Sequence, residues 1–179
     1  MGLVFAAALA GCNASTPATG DAGGAAGSDA GPDVFIAFWS TFQPFRTWKS
    51  FHSSGPPDDG TFPADVLGPR TQYINRLPPH GATEFPIGTV IVEARESGAK
   101  NLFAAVKRGF GYNSTGARNW EWFELREAAG QVLIVWRGLG PPTNESYGGN
   151  PDGGCNSCHK SCGAGNDYIC SPVLQLASF

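Results

Sequence analysis

Charge is scarce in this chain, and methionine is scarcer. Lys and Arg total 12 and Asp and Glu total 15 in 179 residues, a formal charge of -3. That mild acidity offers no basic face for phosphates and points away from nucleic acid as a partner. The one Met is Met1, at the head of a leader, so the rest of the chain has no thioether to give a metal. The leading apolar run, MGLVFAAALAGC, is too short to span a bilayer. Residues 13 to 33, NASTPATGDAGGAAGSDAGPD, hold no aromatic residue and no Leu, Ile or Val. Such a segment buries too little apolar surface to offset its ordering entropy and reads as a flexible tether. It absorbs part of the Gly excess, 25 Gly beside 14 Pro, and leaves residues 34 to 179 as one domain.

What is present begins with the leader, residues 1 to 12. Leu9-Ala10-Gly11-Cys12 resembles the end of a bacterial lipoprotein signal, in which the Cys is lipidated and becomes the new N-terminus. No Lys or Arg precedes the apolar run, a departure from the usual signal pattern. Asn13 is not the Asp associated with inner-membrane retention, which favours the outer membrane. The expectation is an exported chain, lipid-anchored in the bacterial cell envelope and facing the periplasm or the cell surface. A plain secretory signal is the alternative.

Cys155-Asn156-Ser157-Cys158-His159 reads C-x-x-C-H, the attachment signature of a c-type haem. Two thiols three apart can each add across one haem vinyl group, and the His that follows is then held under the iron as an axial ligand. Asn156 and Ser157 are small and polar and leave the porphyrin edge clear. One covalent haem c ligated by His159 is the expectation. Two other readings stay open. Cys155, Cys158, His159 and Cys162 are four soft ligands that would suit zinc, and Cys155 could pair with Cys158 as a plain disulfide. The count of five Cys closes if Cys12 takes lipid, Cys155 and Cys158 take haem, and Cys162 bridges Cys170 in an oxidising compartment. Two free thiols at 162 and 170 are the alternative.

Apolar residues recur at 35, 38, 39, 42, 45, 48 and 51, which predicts two short helices or one helix kinked at Pro44. Ser54 to Pro69 reads as loop, Thr71 to Ile74 as a short strand and Leu77 to Gly81 as a turn. Gly88 to Ala94, Leu102 to Arg108, Trp120 to Arg126 and Val132 to Arg137 read as strands. In the third of these, Glu121, Phe123 and Leu125 share one face and Trp120, Trp122 and Glu124 the other. A turn around Gly130 joins the last two. Short connections predict an antiparallel sheet. Gly138 to Gly154 reads as loop, and Ser171 to Phe179 as a short helix or extended tail. The fold class is α+β, mainly antiparallel sheet with a few short helices, in a single haem c domain.

In order and spacing, four segments resemble the cytochrome P-460 and cytochrome c′-beta family: Arg70 to Asn75 (RTQYIN), Phe85 to Val92 (FPIGTVIV), Asn119 to Trp122 (NWEW) and the late CNSCH. The likeness runs from about Trp48 to Leu176. It implies an antiparallel β-scaffold, a possible homodimer, one haem c with a His ligand, and either binding of nitric oxide or oxidation of hydroxylamine. Hydroxylamine-oxidising members bond a strand Lys to the haem ring. The matching position here is Glu93, which cannot form that amine link, so the oxidation is in doubt.

Axial chemistry decides what a haem does. Without an internal Met, the sixth position falls to His52, His80, a Lys or nothing, and an open position is expected. Phe103, Phe110, Phe123 or Trp122 could line an apolar ligand site. Glu93, Glu121 or Glu124 could relay protons, with Glu93 and Glu121 the catalytic candidates. Arg70, Lys107, Arg108 and Arg137 are candidates for the haem propionates. Three functions follow: a site binding a small gaseous or nitrogenous ligand, an oxidoreductase for hydroxylamine or a related species, or an electron carrier with an unidentified redox partner.

Overall fold

The computed structural model of the protein describes residues 34–55, 67–96, 102–142 and 154–179. The expected leader 1–12, with Cys12 as the expected lipidation site, and the expected tether 13–33 lie outside the described residues. So does most of each loop expected at 54–69 and 138–154. Among the described residues, six strands form one antiparallel sheet in sequence order. They are β1 (Lys49–Ser53), β2 (Arg70–Ile74), β3 (Val90–Arg95), β4 (Leu102–Lys107), β5 (Trp120–Ala128) and β6 (Gln131–Gly138). The fold is therefore mainly antiparallel β with a few short helices, α1 (Trp39–Phe42) and α2 (Gly154–Ser161) among them.

Local sequence explains these elements. β3 is built on β-branched residues, whose stiff side chains suit a pleated surface. β5 and β6 meet at Ala129 and Gly130, whose φ values of 51° and 76° are both left-handed, as a two-residue hairpin turn requires. Asn75 closes β2 onto β3: its amide donates to the Gly88 carbonyl at 2.9 Å and its Oδ1 accepts from Val90 N at 2.8 Å.

The helical reading of residues 35 to 51 holds only in part. One α-turn forms at Trp39–Phe42 and one 3₁₀ turn at Phe45–Thr47, separated by Pro44. Lys49–Ser53 is instead the edge strand β1, paired with β2 from Lys49↔Ile74 to Ser53↔Arg70. The 3.6-residue spacing at Trp48 and Phe51 was incidental, because ladder hydrogen bonds to β2 outweigh a weak local preference.

Both faces of the sheet are covered. On one, Phe42 and Phe45 of the N-terminal segment pack on Val90, Val92, Val106, Phe123 and Leu125. On the other, Ile169, Leu174 and Leu176 of the C-terminal segment pack on Ile74, Ile91, Trp120, Trp122 and Trp136. Each fully buried large side chain contributes about 1.5–3 kcal/mol of transfer free energy. The C-terminal segment thus lays the C-x-x-C-H helix against the second face.

Candidate functional site

α2 carries the whole motif. Cys155 and Cys158 are free thiols, the first half-buried and the second exposed. They are not bonded to each other, which removes the plain disulfide reading. Cys162 is joined to Cys170, with Cα atoms 5.6 Å apart, so its sulfur is not available to a zinc ion. Among the described residues no three His, Cys, Asp or Glu side chains gather to hold a metal ion. Burial pushes the Cys155 thiol up to about 12 and raises Cys158 as well, so both stay protonated near neutral pH.

Asn156 does more than leave room. Its Oδ1 accepts from Asn113 Nδ2 at 2.5 Å and from the Ala117 backbone N–H at 2.9 Å. Gly116 lies so close that a Cβ there would collide with the Asn156 amide. Lys160 Nζ adds a bond to the Thr115 carbonyl at 2.9 Å. The β4–β5 loop is thus the dock on which α2 rests.

His159 is fixed on two sides. Its ring stacks on Trp122 with centroids 4.0 Å apart and planes 27° apart, and Trp122 stacks on Trp120. Its Nδ1 lies 2.7 Å from the Tyr168 carbonyl oxygen. A carbonyl only accepts, so Nδ1 must carry the proton. Burial lowers the His159 pKa, outweighing the Tyr168 carbonyl and the charge of Glu93. The result is a neutral imidazole with its lone pair on Nε2, the form that ligates a metal.

The Tyr168 carbonyl is held by an unusual turn. Asp167 and Tyr168 have φ of 48° and 64°, left-handed values that cost a non-glycine residue on the order of 1–2 kcal/mol each. Outside contacts impose them. Lys107 Nζ reaches both carboxylate oxygens of Asp167 at 2.6 Å, Phe85 N–H donates to the same carboxylate, and Trp120 Nε1 donates to the Asp167 carbonyl at 2.7 Å. Burial raises the Asp167 pKa against the pull of Lys107 and Phe85.

Alternation divides the other candidates between the two faces of the sheet. Glu93 shares the α2 face with Ile91, opposite Gln72 on β2 and Phe103 on β4. There it bonds Arg70 at 3.1 Å, Arg95 at 2.9 Å and Gln72 at 3.2 Å. Burial pushes its pKa up, but the two guanidinium groups and the Gln72 amide overcome that and hold it below the ordinary 4.5. Glu124 is also on this face, accepting from Trp136 Nε1 at 3.0 Å. Glu121 is not: it lies with Phe123 on the opposite face, bonded to Arg137 at 2.7 Å and Arg108 at 3.5 Å. The sheet therefore separates Glu121, Phe123, Arg108 and Arg137 from His159. Lys107, expected near propionates, is buried against Asp167. Arg70, the other propionate candidate on the α2 face, is buried as well, its guanidinium bonded to Glu93 and to the Gly68 carbonyl. Phe110 is 82% exposed. His52 is exposed beside Glu96, and His80 sits in an exposed turn.

The donor set fits a covalently attached haem. It offers two free thiols three residues apart, a neutral imidazole with its lone pair on Nε2, and, on the same face, a buried Trp122 indole N–H that has no partner among the described residues. Sequence reasoning gave Asn156 only a space-leaving role and missed Tyr168, Asp167 and Arg95 as parts of this site. The left-handed φ at 167 and 168 leaves no mark in residue type, whereas Asn at the first x of the motif was a readable hint of a directional bond. Compared with protein-family models, curated proteins and solved structures, the chain matches none.

Proposed function

We propose that the chain is a c-type cytochrome of the cell envelope, with one haem in a single domain, 34–179. Cys155 and Cys158 form the two thioethers and His159 Nε2 ligates the iron. The observation that carries this reading is the His159 Nδ1 contact to the Tyr168 carbonyl, which presets the ligating tautomer beside two free thiols. A haem bound there supplies an iron centre able to bind a small ligand or exchange an electron. Export, with a lipid on Cys12, and a possible homodimer complete the proposal.

Reversible binding of a small ligand such as nitric oxide is the preferred activity. Glu93 supports it over hydroxylamine oxidation: a carboxylate bound by two guanidinium groups offers no amine for a ring cross-link and is a weak base at neutral pH. His52 alternates with Phe51 and so falls on the face of the sheet away from α2, which supports an open distal site. The test is intact mass with a pyridine haemochrome spectrum, followed by nitric oxide added to the ferrous protein. One covalent haem and a shifted Soret band are expected. Colourless protein at the mass of bare polypeptide refutes attachment, and an unmoved Soret band refutes ligand binding. Turnover of hydroxylamine above that of free haem would favour the oxidoreductase instead.

A further inference from the structure

We infer that the buried Lys107–Asp167 ion pair is a positioning device for His159, acting through the Tyr168 carbonyl; this rests on the haem reading. Lys107 sits at the end of β4 and Asp167 in the C-terminal segment, 60 residues apart. Their side chains are almost wholly buried, and both carboxylate oxygens lie 2.6 Å from Nζ. A buried ion pair is a poor way to stabilise a fold, since an apolar pair of similar volume often does as well or better. What it supplies is direction.

That direction falls on the turn beside the imidazole. The carboxylate also accepts from Phe85 N–H, and the Asp167 carbonyl from Trp120 Nε1. With the side chain and the carbonyl of Asp167 both fixed to strand and loop, the next peptide is held in its left-handed setting. The Tyr168 carbonyl is then aimed at Nδ1. The same ammonium lies 5.3 Å from the centroid of Trp120, whose indole stacks on Trp122, which stacks on His159. Lys107 therefore reaches the imidazole by two routes, one through the turn and one through the rings.

A carbonyl held against Nδ1–H strengthens Nε2 as a donor. Loosening the turn weakens that donation. In the haem-loaded full-length protein, Asp167→Asn and Lys107→Met are expected to lower the Fe–N(His) stretching frequency in ferrous resonance Raman and to raise the midpoint potential. The covalent haem content per chain stays at the wild-type value. Lys107→Arg, which keeps the charge, restores part of the shift. Arg46→Gln, which breaks an ion pair on the far face, lowers the melting temperature without moving the frequency.

A wild-type frequency in a haem-loaded Asp167→Asn protein overturns the inference, as does an equal shift in Arg46→Gln. Should Asp167→Asn fail to fold, Trp120→Phe takes its place under the same criterion, because it removes the donor to the Asp167 carbonyl and weakens the stack on Trp122, and so perturbs both routes at once. Wild-type protein without covalent haem would instead overturn the underlying proposal, so the two failures are distinct.

Discussion

Replacing Asn156 with Ala asks whether one side chain docks α2. Two bonds are lost, from Asn113 Nδ2 at 2.5 Å and from Ala117 N at 2.9 Å. Asn113 Nδ2 keeps the carbonyls of Ala117 and Trp120 as acceptors, so its share is the net worth of one bond, about 0.5–1.5 kcal/mol. Ala117 is fully buried, and an orphaned buried N–H costs about 1–3 kcal/mol. Together the loss is about 1.5–4.5 kcal/mol, or about 4.5–13.5 °C in Tm at roughly 3 °C per kcal/mol for a domain of this size. Asn156→Asp retains the acceptor and should stay near wild type. Gly116→Ala drives a methyl into the Asn156 amide and should cost about 1–3 kcal/mol, but less in an Asn156→Ala background, since the two sites couple. Urea unfolding followed by Trp fluorescence and circular dichroism measures all four proteins. A loss under about 0.5 kcal/mol for Asn156→Ala, or strict additivity in the cycle, refutes the docking argument.

Glu93→Gln leaves Arg70 and Arg95 facing a neutral amide and should cost about 1–3 kcal/mol at pH 7. Because the Glu93 carboxyl is held below the ordinary 4.5, its contribution is complete above that pH and is lost as pH falls through the lower folded value. The stability gap between variant and wild type should therefore close on acidification, and a gap constant from neutral to acid pH would contradict the assignment. Opening the Cys162–Cys170 bridge, of sequence separation 8, with a Cys162→Ser/Cys170→Ser pair should cost about 2.5 kcal/mol by loop-closure entropy, read by thermal unfolding. Cys158→Ser should leave one thioether, seen as a shifted pyridine haemochrome band at unchanged haem mass; two thioethers in the variant would exclude Cys158 as an attachment point. His159→Gly should keep the haem covalently bound but lose its axial nitrogen, which added imidazole should restore in the ferrous spectrum.

The sheet was legible because its signals are local. β-branched runs and two-residue alternation mark β3 to β6, and Gly130 marks the hairpin turn. β1 was not legible, since Lys49–Ser53 is an edge strand whose only support is a partner across the chain. The two faces of β5 were read correctly from alternation, yet which face would meet α2 was undetermined until the C-terminal segment was placed. That is why Glu121, Phe123, Arg108 and Arg137 stood among the site candidates beside Glu93 and Trp122. The candidates Cys155, Cys158 and His159 came from spacing alone. Their supports at Asn113, Asp167 and Tyr168 did not, because each depends on tertiary placement, as in the Asn113–Asn156 bond across 43 residues and the His159–Tyr168 bond across 9, which pattern reasoning does not reach.

A sheet sandwiched on both sides has a further consequence for sequence drift. In an ordinary amphipathic strand every second position tolerates a polar replacement. In β5 the first six residues, Trp120 to Leu125, are all buried, and β4 is nearly so. Exposed positions lie mainly in the outer strands, β1 and β6, and at the end of β5. In a saturation mutagenesis screen, permissive sites should cluster at the margins of the sheet and thin out toward its middle, a gradient running across the ladder instead of a rhythm running along each strand.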